Sequence, residues 1–80
     1  MGDEISYEGY VIKSIPGELT PSSGWKVYIK IWRETADEQN HKSFFVAESF
    51  VTREDAFAHG FNFGKQIIDG EAKGLSVSNL

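Results

Sequence analysis

Apolar and polar positions alternate through Trp25–Arg33. Trp25, Val27, Ile29 and Ile31 fall on one side and Lys26, Tyr28, Lys30 and Trp32 on the other. That two-residue period is the mark of a half-buried β-strand. Residues Tyr7 to Ile15 are rich in β-branched and aromatic side chains and predict an earlier strand ending at Pro16-Gly17. In it, Tyr10 and Ile12 face the core, while Val11 and Lys13 face outwards. The stretch from Pro16 to Gly24 is a loop by composition, and polar Glu34 to Lys42 reads as a solvated hairpin loop. A third strand is expected over Ser43–Val51. Because Glu48 is costly to bury, its phase puts Phe45 and Ala47 inward and Phe44, Val46 and Glu48 outward.

From residue 52 the period changes to that of a helix. Thr52 is placed to cap it by accepting the Asp55 N–H, and Glu54 and Asp55 suit its positive end. Over Arg53 to Asp69, residues Ala56, Phe57, Gly60, Phe61, Phe63, Gly64, Ile67 and Ile68 fall within an arc of roughly 160°. Gly60 and Gly64 lie at its centre, each at a cost of about 1 kcal/mol in helix propensity. The gain expected in return is a close approach of helix to sheet. Gly70 follows as the residue that ends the helix. The tail contains Leu75-Ser76-Val77, which either adds an edge strand or frays; its last few residues are expected to fray.

These elements predict an α+β fold: a three-stranded antiparallel sheet, in the order β-β-β-α, with one C-terminal helix packed on one face. A single domain over residues 1–80, ordered from about 5 to 72, is what 80 residues allow. The chain has no cysteine, which removes disulfides and thiolate metal sites. Packing must hold it, and six Phe, three Tyr and two Trp supply large buried surfaces. No apolar run is long enough to cross a membrane, and Met1-Gly2-Asp3-Glu4 lacks the basic and apolar segments of a signal peptide, so a cytoplasmic location is expected. A net charge of −4 disfavours nonspecific binding to polyanions.

Candidate chemistry is sparse. His41 lies in the polar loop and His59 on the polar side of the helix, where both read as solvated imidazoles. Asp37 and Glu38 near His41 would form a charged turn more readily than a metal site. The pair Gly60 and Gly64 is mid-helix and is not a phosphate loop. No cofactor or metal is implied, and the expectation is a protein that is not an enzyme.

The outer sheet face holds more. Lys13, Lys26, Tyr28, Lys30, Trp32, Phe44 and Val46 are expected there, away from the helix. Exposed aromatics in number favour a protein partner or a homodimer. Aromatics interleaved with lysines would alternatively suit nucleic acid, by base stacking and phosphate contact. Protein contact or self-association ranks first.

The junction Ser49-Phe50-Val51-Thr52-Arg53-Glu54-Asp55-Ala56 after three strands resembles double-stranded-RNA-binding-like folds and the Arm-type DNA-binding domains of integrases. In the latter the open sheet face reads DNA, which would give Lys26, Tyr28, Lys30 and Trp32 that role. Those domains are strongly basic, and this chain is acidic. Over most of residues 7–70 the chain also resembles small stand-alone bacterial proteins of unknown function. There, a Gly-Tyr strand and a Trp-initiated strand precede a Thr-capped helix ending in Ile-Asp-Gly, here Gly9-Tyr10, Trp25 and Ile68-Asp69-Gly70. This resemblance implies a fold and no activity.

Overall fold

The computed structural model describes residues 3–20, 24–46, 48–72 and 74–77. Strands β1 (Glu4–Tyr7), β2 (Tyr10–Thr20), β3 (Gly24–Arg33) and β4 (Lys42–Phe45) are followed by helix α1 (Arg53–Ile68). The strands form one antiparallel sheet in chain order, β1-β2-β3-β4. The fold is thus α+β with a sheet and a C-terminal helix, but it has four strands where the sequence predicts three.

The extra strand arises at Glu8-Gly9. Both residues have positive φ (51° and 84°), and Tyr7 pairs directly with Tyr10. Positive φ at both loop positions is the signature of a two-residue type I′ hairpin, whose twist matches that of its strands. The predicted first strand is therefore cut in two, and Ile5 joins Ile12 on the core side.

Strand β2 also runs through Pro16, where the sequence predicts a loop. The Ser14 N–H donates to Asp3 O (3.0 Å), so even-numbered residues here direct their backbone groups towards β1. β1 starts at Glu4, opposite Lys13, so Pro16 lies beyond the described pairing of β1 and turns its ring nitrogen to that side, away from the ladder with β3. A proline is tolerated there because no ladder bond is lost.

The phase of β4 is opposite to that expected. Phe44 packs on the main core, and Val46, 6 % exposed, joins Val27 and Ala56 beneath the helix. Phe45, expected inward, points to the outer face. A one-residue slip inverts every side chain of a strand, and Phe44-Phe45-Val46 offers apolar groups to either side. The expected inward residue Ala47 lies outside the described residues. Glu48 is exposed without belonging to the strand. β4 ends at Phe45, and the chain then spends four steps from Val46 to Phe50 opposite the two from Val27 to Trp25. It rejoins at Trp25 and Phe50, which exchange two 2.8 Å backbone bonds. Gly24 is needed beside that junction: its φ is +84°, and a Cβ would stand 2.5 Å from Phe50 O.

The helix follows its expected course. Thr52 Oγ1 accepts from Asp55 N at 3.1 Å. At the other end Gly70 N bonds to Ile67 O and Glu71 N to Gln66 O, the paired bonds of a Schellman stop. Ala56, Gly60, Gly64 and Ile67 are its buried stripe. A Cβ at Gly64 would meet Ile12 Cγ2 at 2.7 Å, and one at Gly60 would collide with Ser14 Oγ, so both glycines bring the helix onto β2. Ile12, Ile29, Ile31, Ile67 and Val77 form the main core, with Phe63 bridging to the cluster of Val27, Val46 and Ala56. Burying each Ile is worth about 1.5–3 kcal/mol. The 75–77 segment neither frays nor forms a strand: Val77 is 7 % exposed in the core, and Ser76 O accepts from Lys42 Nζ. Residues 78–80, expected to fray, lie outside the described residues. No described helix is long and apolar enough to cross a membrane.

Candidate interaction face

The helix covers one side of the sheet. On the other, the odd-numbered positions of β2 meet the even-numbered positions of β3 in direct pairs: Val11 with Trp32, Lys13 with Lys30, Ile15 with Tyr28 and Gly17 with Lys26. Lys13, Lys26, Tyr28, Lys30 and Trp32 therefore share the outer face, as expected. Phe44 and Val46 do not; the inverted phase of β4 places them on the helix side, and Ser43 and Phe45 take the outer positions.

The face is divided into two halves with different character. In the first, Lys13 and Lys30 stand directly opposite each other, an arrangement of like charges that is unfavourable alone. Glu38 resolves it. Its carboxylate lies 3.4 Å from Lys30 Nζ and 3.7 Å from Lys13 Nζ, with Asp3 4.0 Å from Lys13. To bring Glu38 there, the loop between Arg33 and Lys42 folds back across this side. Turns at Arg33–Ala36 and Asp37–Asn40 shape it, and Glu34 N anchors it to Gly9 O at 3.0 Å. The predicted solvated hairpin loop is largely exposed, with Glu38, His41 and Lys42 as its half-buried residues. Next along the strands, Trp32 is only 6 % exposed although it is turned away from the helix. An indole buried in this way has no free ring face on which a base could stack.

The second half is open. Tyr28 lies across from Ile15 on β2 and Phe45 on β4, and its ring is tilted against that of Phe45 with centroids 5.4 Å apart. Phe45 is 77 % exposed. Ile15 and Phe45 are the residues that the sequence reading left out. Ile15 could have been found by stepping two positions from Lys13, whereas Phe45 depended on a phase that the local pattern did not fix.

The histidines sit apart from this open half. His41 Nδ1 is 2.7 Å from Glu38 O, and His41 lines an open depression of about 400 Å³ with Lys30, Asp37, Glu38 and Gln39. His59 packs its ring on Phe50 (4.8 Å) with Glu48 3.8 Å away. Both are half-buried and partnered, in contrast to the solvated imidazoles expected. Among the described residues, no three His, Asp or Glu side chains are grouped as a metal site would need. Compared with protein-family models, characterised proteins and solved structures, the chain matches none.

Proposed function

We propose that this protein is a non-catalytic interaction module that takes a protein partner on the open half of its sheet face, around Ile15, Tyr28 and Phe45. The observation that carries this reading is Phe45, an aromatic residue left 77 % exposed on the open half of the sheet face. Its ring and that of Tyr28 already lie against each other, so little side-chain freedom remains to be lost on binding. Phe45 is the exposed member of this patch, with half-buried Ile15 and Tyr28 beside it, and aromatic anchors dominate protein contacts.

Nucleic acid is the weaker reading. The two lysines at the centre of the face are already engaged by Glu38, and Trp32 is buried. Catalysis has little support as well, because His41 and His59 belong to separate clusters, each held by its own neighbours.

The test is capture of partners by the folded chain, in parallel with Phe45→Ser and Ile15→Ser. Partners retained by the parent and lost by both variants support the reading. In a sedimentation series with mixed oligonucleotides, no binding is expected at about 0.15 M salt. Salt-sensitive oligonucleotide binding that disappears in Lys26→Ala/Lys30→Ala overturns it in favour of nucleic acid.

A further inference from the structure

Among the described residues, β1 and β4 are the edge strands of the sheet, and the two edges are built differently. Along β1 the bond from Ser14 N to Asp3 O fixes which residues face β2, so Glu4 and Ser6 turn their backbone groups outwards. Asp3 and Glu8 flank them, and a second copy paired about Glu4 or Ser6 would set acid against acid, Glu4 against Glu4 or Glu4 against Glu8. Where β2 extends beyond β1, Pro16 removes a donor from the same side, and Glu18 follows two residues later. Charge and proline on an edge are the usual devices against strand addition.

The β4 edge has no proline, and its one charged residue, Lys42, sends its Nζ to Ser76 O instead of along the edge. The bond from Val46 N to Val27 O (3.2 Å) means that Val46, Phe44 and Lys42 bond towards β3, while Ser43 and Phe45 direct their N–H and C=O groups outwards. Both residues are uncharged and exposed. The edge is also self-complementary. With a two-fold axis at Phe44, Ser43 of one copy lies opposite Phe45 of the other, and such a pair exchanges both backbone bonds. The axis repeats that exchange. On the helix side, Phe44 would meet its own counterpart in the closer, non-hydrogen-bonded type of pair, joining the edges of two cores.

We infer that β4 is a homodimerisation edge, pairing antiparallel with β4 of a second copy about Phe44 to make one continuous sheet. This surface is distinct from the open face, and the pairing stands or fails separately from the partner reading above. Its consequence for that reading is that two Tyr28–Phe45 patches would lie side by side on the same face. The short edge makes the association weak and concentration-dependent.

The experiment is hydrogen exchange by NMR on the full chain, at dilute and concentrated protein, alongside sedimentation velocity. The amides of Ser43 and Phe45 should become protected only at the concentration where the dimer forms, while that of Phe44, bonded to β3, is protected throughout. Ser43→Pro removes an outward donor without touching the ladder to β3. It should weaken dimerisation at least about tenfold, since the axis doubles each lost bond, with helix shifts unchanged. Four results overturn the proposal. They are a monomer at every concentration, a dimer whose Ser43 and Phe45 amides exchange freely, protection that is independent of concentration, and a dimer that survives Ser43→Pro but is lost in Ile15→Ser. The last assigns self-association to the open face. The parent measurements decide the matter even if Ser43→Pro does not fold.

Discussion

Ser14 Oγ donates to the carbonyl of Phe57 at 2.9 Å, joining β2 to the helix across the centre of the molecule. Ser14 is 2 % exposed, and Gly60 lies over it so closely that a Cβ there would strike the hydroxyl. The two positions form one fitted contact. Ser14→Ala should destabilise the fold by about 1 kcal/mol through the lost bond. Gly60→Ala should cost more, despite its better helix propensity, by about 1–3 kcal/mol. In a double-mutant cycle with Ser14→Gly the second cost should shrink, because the colliding atom is gone. Urea denaturation of the four proteins gives the coupling. Additive effects would show that the contact is not the source of the Gly60 requirement.

A similar argument applies one turn later. A Cβ at Gly64 meets three atoms of Ile12 between 2.7 and 3.2 Å. Ile12 is fully buried and cannot swing aside. Gly64→Leu should therefore overpack the core and cost about 1–3 kcal/mol or more in a thermal or urea melt. An unchanged midpoint would mean that the helix sits further from β2.

Glu38 bridges two lysines that stand opposite each other, of which Lys13 also has Asp3 nearby. Glu38→Gln should destabilise the fold by about 0.5–1 kcal/mol at low ionic strength, a modest amount because all three groups are partly exposed. Added salt should reduce the difference between variant and parent, since it screens both the repulsion and the lost attraction. Melts at two salt concentrations measure this. A difference that does not depend on salt would mean that Glu38 acts through packing.

Tyr7 Oη donates to Asp69 Oδ2 at 2.7 Å, tying the first hairpin to the helix C-terminus. That hydrogen bond, with a smaller contribution from desolvation, raises the phenol from 10.0 to about 12. The folded chain therefore keeps a proton that the unfolded chain loses. The stabilisation is complete below pH 10 and is lost as pH rises from 10 through about 12. Absorbance titration of the parent minus Tyr7→Phe should isolate a phenol that ionises near the upper value. In Tyr7→Phe this contribution to the alkaline loss of stability should be missing.

The helix was legible in the sequence almost residue by residue, because its cap, its apolar arc and its terminal glycine each had a local cause. β3 was equally clear, since its alternation is unbroken. What escaped depended on non-local partners. Pro16 reads as a stop until its place beyond the described pairing of β1, which spans Glu4–Tyr7, is seen. Glu8-Gly9 reads as strand until both residues are seen at positive φ. The phase of β4 is decided by which side Val27 and Ala56 occupy, and Phe44-Phe45-Val46 satisfies either answer. On the candidate face, Lys13, Lys26, Tyr28 and Lys30 followed from period alone. The bridging by Glu38 required the fold of a loop that carries no pattern, and the burial of Trp32 is not set by the alternation of β3.

The order of the strands in the sheet is also their order in the chain, while the helix that covers them comes last. Each strand pairing closes over a short separation, whereas the Ser14–Phe57 bond spans 43 residues. Loop closure is thus cheap for the hairpins and dearer for docking the helix. During synthesis, the meander emerges with Ile12, Ile29 and Ile31 uncovered, and it stays so until residues 53–68 have left the ribosome. For that interval the apolar side of the sheet, buried in the finished molecule, is the chain's greatest exposure to aggregation.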